Sequence, residues 1–180
     1  IESKIKFIIN DIKKNKDLAL IKYEKKFSKF KNISINKIKF TKREKNKIIR
    51  KLDKRTKASI DLAYDRILKF HKKQKLFSFS FTDRFKNSFS YKSNAINKIG
   101  VYVPGGLASY PSSVLMNCIP AIVAGVKIIY MATPSMGTNY NPAVIYAAKK
   151  CNVKEIYKMG GAQAIAAMAY GTKTVTKVDK

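Results

Sequence analysis

The sequence predicts an α/β fold: a mainly helical amino-terminal region, then a parallel sheet with flanking helices. Three observations carry that prediction. Apolar residues recur at helical spacing through most of the first 72 positions. Phenylalanines then alternate with Ser and Thr across 77–82, the period of a strand. From position 99 onward the order strand, glycine-bearing loop, helix repeats about three times.

The helical region opens with Ile1, Ile5, Ile8, Ile9 and Ile12 on one face. A second apolar set is Leu18, Ile21, Tyr23 and Phe27, and Asn15-Lys16-Asp17 is expected to divide two helices, with Asp17 as an N-cap. Residues 31–39 are a polar connection. Thr41 and Glu44 have capping-box spacing at the head of one long helix or two abutting ones reaching Lys72. Its expected stripe is Ile48, Leu52, Ala58, Leu62 and Ile67. Phe77, Phe79 and Phe81 should face one way and be buried, with Phe85, Phe89 and Tyr91 prolonging the aromatic pattern.

The sheet region is clearer. Val101–Val103, Lys127–Ala132 and a short run within 153–159 are expected strands. Helices are expected over Ser112–Val123, Pro142–Cys151 and Ala162–Tyr170, with Gly125 and Gly171 closing the first and last. Pro120 calls for a bend or restart in the first of them. This is the pattern of a Rossmann-like, doubly wound sheet joined by right-handed crossovers. The chain divides at 98/99, the second part being incomplete at its carboxyl end.

Net charge is +27 over 180 residues, and it is uneven: +21 in residues 1–100 and +6 in 101–180. Only 5 of the 38 basic residues are Arg, the preferred side chain for bidentate contacts to bases and phosphates. The excess therefore reads as a solvated lysine surface rather than a nucleic-acid footprint. No apolar run approaches a membrane span. Cys118 and Cys151 form neither a CxxC pair nor a disulfide framework, which fits a reduced, cytoplasmic setting. The first residue is Ile, which implies that a start is missing or removed, and the first stretch lacks a signal peptide's apolar core and cleavage site.

Two loops invite a ligand. Pro104-Gly105-Gly106 lies between a strand and a helix start; glycines there permit positive φ and close backbone approach, and Ser109, Ser112 and Ser113 offer hydroxyls beside free helix N–H groups. It matches neither GxGxxG nor a Walker loop, so it is either a ligand loop or only a tight connection. Gly160-Gly161-Ala162-Gln163 is the second junction. In a parallel sheet Tyr102, Thr133, Pro134 and Gln163 would converge at the carboxyl ends of the strands. Taken singly, Tyr102 also fits a core aromatic, and Gln163 a surface or capping amide. His71, the one histidine, sits in HKKQK and reads as solvated or helix-capping. A zinc set or a nucleophilic triad cannot be assembled from these residues.

The segments GVYVPGG, YPSSVLMNCIPAIVAGVKIIYMATP, YAAKKCNVKEIYKMGGAQAIAAMAYGT and VTKVDK resemble the amino-terminal part of the histidinol dehydrogenase family. The resemblance covers essentially the whole chain, and 180 residues would be under half of such an enzyme, hence a fragment. It implies a partial, aldehyde-dehydrogenase-like architecture and a zinc-dependent, NAD-linked oxidation of L-histidinol to L-histidine through an aldehyde, by a cytoplasmic homodimer. Carried over residue by residue, it implies NAD contacts for Tyr102 and Gln163. The family's Gly-Pro-Gly-Asn segment, zinc ligands and Glu-His pair would lie beyond Lys180, and His71 corresponds to none of them. The 180 residues alone are thus expected to be inactive, with no catalytic or metal-binding residue among them. The alternatives are a basic nucleic-acid-binding α/β module and another NAD-linked dehydrogenase.

Overall fold

Helical periodicity does shape the first stretch. A computed structural model describes residues 2–28, 33–105, 110–134 and 140–180. Helix α1 (Glu2–Phe27) carries a break at Lys16, with φ 49° and ψ −124°, inside the expected divider. The Lys16 ammonium donates to the carbonyls of Tyr170 (3.4 Å) and Gly171 (3.1 Å), at the electronegative end of another helix. Asp17 does not cap its own helix; it accepts from the Thr174 hydroxyl at 2.8 Å. The buried residues after the break are Ala19, Leu20, Tyr23 and Glu24, while Leu18 is exposed and Ile21 half-buried. Of the expected second set, Tyr23 and Ile21 meet the core and Leu18 and Phe27 do not.

Helix α2 (Lys42–Ile49) begins with the full capping box, Glu44 N–H donating to Thr41 Oγ1 and Thr41 N–H to Glu44. Helix α3 (Lys54–Lys72) is capped separately by Asp53, so the second helical stretch is two helices. Its contact face is Ile60, Ala63, Tyr64, Ile67 and Leu68; Ala58 and Leu62 are exposed. Strands β1 (Phe79–Thr82) and β2 (Ser88–Tyr91) form an antiparallel hairpin. Its pairing stacks Phe79 on Tyr91 and Phe81 on Phe89. The alternation was read correctly, but the expectation of a buried face fails: Phe79, Phe81, Phe85, Phe89 and Tyr91 are all exposed.

Strands β3 (Lys98–Tyr102), β4 (Ile128–Ala132) and β5 (Glu155–Tyr157) form a parallel sheet in that order, with Tyr102 opposite Ala132 and Ala132 opposite Tyr157. Helices α4 (Pro111–Ala124), α5 (Pro142–Lys150) and α6 (Gly161–Tyr170) alternate with the strands. Residues 112–124 remain helical through Pro120, with no restart. Side-chain period two divides the core. Val101, Val103, Ile129, Met131 and Ile156 pack with α4, α5 and α3 on one face. Tyr130, Ala132 and Tyr157 pack with α1 and α6 on the other.

Both sheet edges are lined by segments that sequence reading left unassigned. The backbone around Lys39 pairs antiparallel with Tyr157. Asp179 N–H donates to Lys98 O, and Gly100 N–H to Lys180 O, both at 2.9 Å, so 179–180 runs along β3 in the same direction. After β5 the chain thus crosses on the other face and returns beside β3. Strand order reverses there, which is where open α/β sheets place ligands, outside the carboxyl ends of the strands.

Candidate functional site

Three loops leave the carboxyl ends of β3, β4 and β5. The ladder continues one residue past the strands, Val103 N–H donating to Ala132 O (2.9 Å) and Thr133 N–H to Tyr157 O (3.0 Å). Pro134 then sits between two glycines. A Cβ on Gly160 would lie 2.5 Å from Pro134 Cβ, and one on Gly105 would lie 2.8 Å from Pro134 O. Both positions exclude a side chain. The reason at Gly105 is close approach and not positive φ; among the described glycines only Gly125, Gly161 and Gly171 have positive φ. Gly106 and Ser109 lie outside the described residues, as do 135–139 of the second loop.

Gly161, at φ +67°, turns the chain into α6. Its N–H donates to the Tyr102 hydroxyl at 3.3 Å. Tyr102 is half-buried and packs against the core, as a core aromatic would. Gln163, in the first turn of α6, is 3% exposed and is no surface amide. Its Nε2 donates to Glu24 Oε1 at 2.9 Å, and Gly160 N–H donates to the same oxygen at 3.0 Å. Glu24 is 2% exposed. Burial pushes its carboxyl above the usual carboxylate range, against the two hydrogen bonds that favour its ionised form. Thr133 is buried at the end of β4, and no described residue bonds its hydroxyl.

The structure thus brings Tyr102, Thr133, Pro134 and Gln163 to one end of the sheet, as the sequence predicted. Ser112 and Ser113 lie in the first turn of α4, and no hydrogen bond among the described residues links their side chains to Tyr102 or Gln163. His71 ends α3, with Nδ1 2.7 Å from Gln74 Oε1, and plays no cap role. Glu24 was missed. The available signal was an acid four residues after Leu20, on a helix face otherwise closed by Leu20 and Tyr23.

The groups described at the strand ends are a phenol, a helix-start N–H, a buried carboxamide, a threonine hydroxyl and the buried Glu24 carboxylate. Among the described residues no three His, Cys, Asp or Glu come together as a metal set. The residues present therefore do not fit zinc.

A family profile described as histidinol dehydrogenase matches residues 1–180. A histidinol dehydrogenase from Pelagibacter ubique (strain HTCC1062) is 56% identical over 175 residues, covering 96% of this chain and 39% of the relative. One from Carboxydothermus hydrogenoformans is 42% identical, covering 99% of this chain and 42% of its own length. The crystal structure of histidinol dehydrogenase from Elizabethkingia anophelis superimposes with a TM-score of 0.91 at 37% identity, covering 99% of this chain and 41% of that one. The chain spans about 40% of the length of the relatives it matches. Sequence and fold agree: the chain belongs to the histidinol dehydrogenase family.

Proposed function

We propose that this chain supplies one wall of the NAD site of an enzyme that oxidises L-histidinol to L-histidine in histidine biosynthesis. The observation that carries the reading is the junction of Tyr102 with Gly161 beside the buried Gln163, at the carboxyl end of β3 where strand order reverses. NAD, when bound, supplies the hydride acceptor; going from alcohol to acid through an aldehyde removes two hydrides in turn and takes up one water. In this reading Tyr102 and Gln163 bind and orient the cofactor. The Gly160–Gly161 turn holds the start of α6 open to it, and Pro134 fixes the turn. No step is assigned to zinc, because the described residues offer no set to hold it; zinc ligands and acid–base groups belong to the remainder of the enzyme. The homodimer and the cytoplasmic setting are part of the same proposal. Family membership supports both, and the free, buried Cys118 and Cys151 fit a reducing compartment. Among the described residues no helix is long and apolar enough to cross a membrane.

The test is a hybrid in which residues 1–180 replace the matching segment of the Pelagibacter ubique relative. Histidinol-dependent NADH formation, two per histidinol consumed, is expected. A folded hybrid with no histidinol-dependent NADH, beside an active parent, overturns the proposal.

A further inference from the structure

Glu24 is a buried carboxylate that the proposed chemistry does not use. It lies on α1, well separated in sequence from the loops, yet one of its oxygens accepts from two groups of the third loop. The first is Gly160 N–H, a backbone donor that cannot be turned around. Its 3.0 Å bond makes Glu24 Oε1 an acceptor. Gln163 must therefore present Nε2 to that oxygen, and its carbonyl oxygen is directed elsewhere. Of the amide atoms, Oε1 comes closest to the side-chain direction of Gly161, 2.9 Å from a Cβ placed there against 3.4 Å for Nε2. Gly161 is the residue that meets the Tyr102 hydroxyl.

We infer that Glu24 is a positioning residue: it fixes the Gly160 turn and the polarity of the Gln163 carboxamide, so that the site offers an acceptor to a hydroxyl or N–H donor of the dinucleotide. The inference rests on the proposed NAD site. Removing the carboxylate leaves two buried N–H groups without their acceptor and frees the amide to rotate.

The hybrid described above supports the experiment, with the dissociation constant for NAD measured by calorimetry and kcat and KM measured alongside. Glu24→Leu should weaken NAD binding about tenfold, the loss of one ligand hydrogen bond once the Gln163 amide is free to turn away, with KM rising far more than kcat falls. Glu24→Gln, whose amide oxygen can accept both N–H groups, should stay within about twofold. The Glu24→Leu/Gln163→Leu double variant should lose clearly less than the two single losses added together, because the Glu24–Gln163 contact is counted in both. Wild-type affinity in Glu24→Leu, additive losses in the double variant, or a Glu24→Gln as weak as Glu24→Leu each overturns the inference. If Glu24→Leu does not fold, Glu24→Asp carries the test: it keeps the charge and withdraws it by one methylene. It too should lose affinity, and an unchanged constant contradicts the proposal. Gln163→Leu with wild-type affinity sinks the site reading itself, and Glu24's role with it.

Discussion

Two regions are both strands and meet different fates. The hairpin β1–β2 alternates Phe with Ser and Thr, whereas β4, Ile-Ile-Tyr-Met-Ala, is apolar at every position. In β4 the two faces are covered, Ile129 and Met131 by the α3–α4–α5 layer, Tyr130 and Ala132 by α1 and α6. In the hairpin, Phe79 and Phe81 face the same way, stack on Tyr91 and Phe89, and stay exposed. Alternation tells which residues share a face. Whether a layer lies over that face depends on the connections: β4 sits between two helical crossovers, whereas the hairpin closes on itself through the short turn capped by Asp83, which accepts from Phe85 and Asn87.

The contrast can be broken at several points, all in the hybrid and all read by thermal or denaturant unfolding. Gly160→Val should be the most damaging change, because its Cβ would meet the Pro134 ring at 2.5 Å between two fixed turns. A loss of about 4 kcal/mol or more, or failure to fold, is expected. A stable Gly160→Val would mean that the loops are not locked together at Pro134. Met131→Ala, in the fully covered strand, should cost about 3 kcal/mol. A loss under about 1 kcal/mol would show that the covered face is loosely packed.

Asp11 gives a pH-dependent test on the helical side. Hydrogen bonds from Asn15, Lys22 and Tyr23 hold its carboxyl down at about 2, below its ordinary 3.8. A depressed carboxylate stabilises the fold above its unfolded value and loses that contribution as pH falls through the folded one. Asp11→Asn should therefore cost about 1 kcal/mol at pH 7 and nothing once the pH is below about 2. A cost that does not change with pH would mean shape, not charge, is what Asp11 provides. The smallest effect belongs to the hairpin: Phe81→Ser should change stability by no more than about 0.5 kcal/mol. A loss comparable to Met131→Ala would show that the rest of the hybrid covers that face.

Legibility in the sequence follows the same division. The strands and helices from β3 onward were readable because Gly and Pro mark most of their ends and the strands are short apolar runs; Gly125 closes α4 in the left-handed region as expected. The amino-terminal helices and the divider at Lys16 were readable, and of the expected faces Ile8, Ile9, Ile12, Ile21 and Tyr23 meet the core while Leu18 and Phe27 do not. The sheet-edge segments at 38–40 and 178–180 were not readable. Their pairing is made by backbone groups, which leave no periodic mark, although Ile38 is fully buried. At the site, Tyr102, Pro134 and Gln163 were found from their places after strands. Glu24 was not, because its role depends on a contact 136 residues away in sequence.

The proposed NAD site lies at the carboxyl ends of the parallel strands and not on the aromatic hairpin. Calorimetric titration of NAD into the hybrid, its Tyr102→Ala variant and its Phe81→Ser variant tests this most directly. Loss of the Tyr102 phenol, which reaches Gly161 N–H at 3.3 Å, should weaken NAD about tenfold, while Phe81→Ser leaves it unchanged. Unchanged affinity in Tyr102→Ala, or a comparable loss in Phe81→Ser, would contradict it.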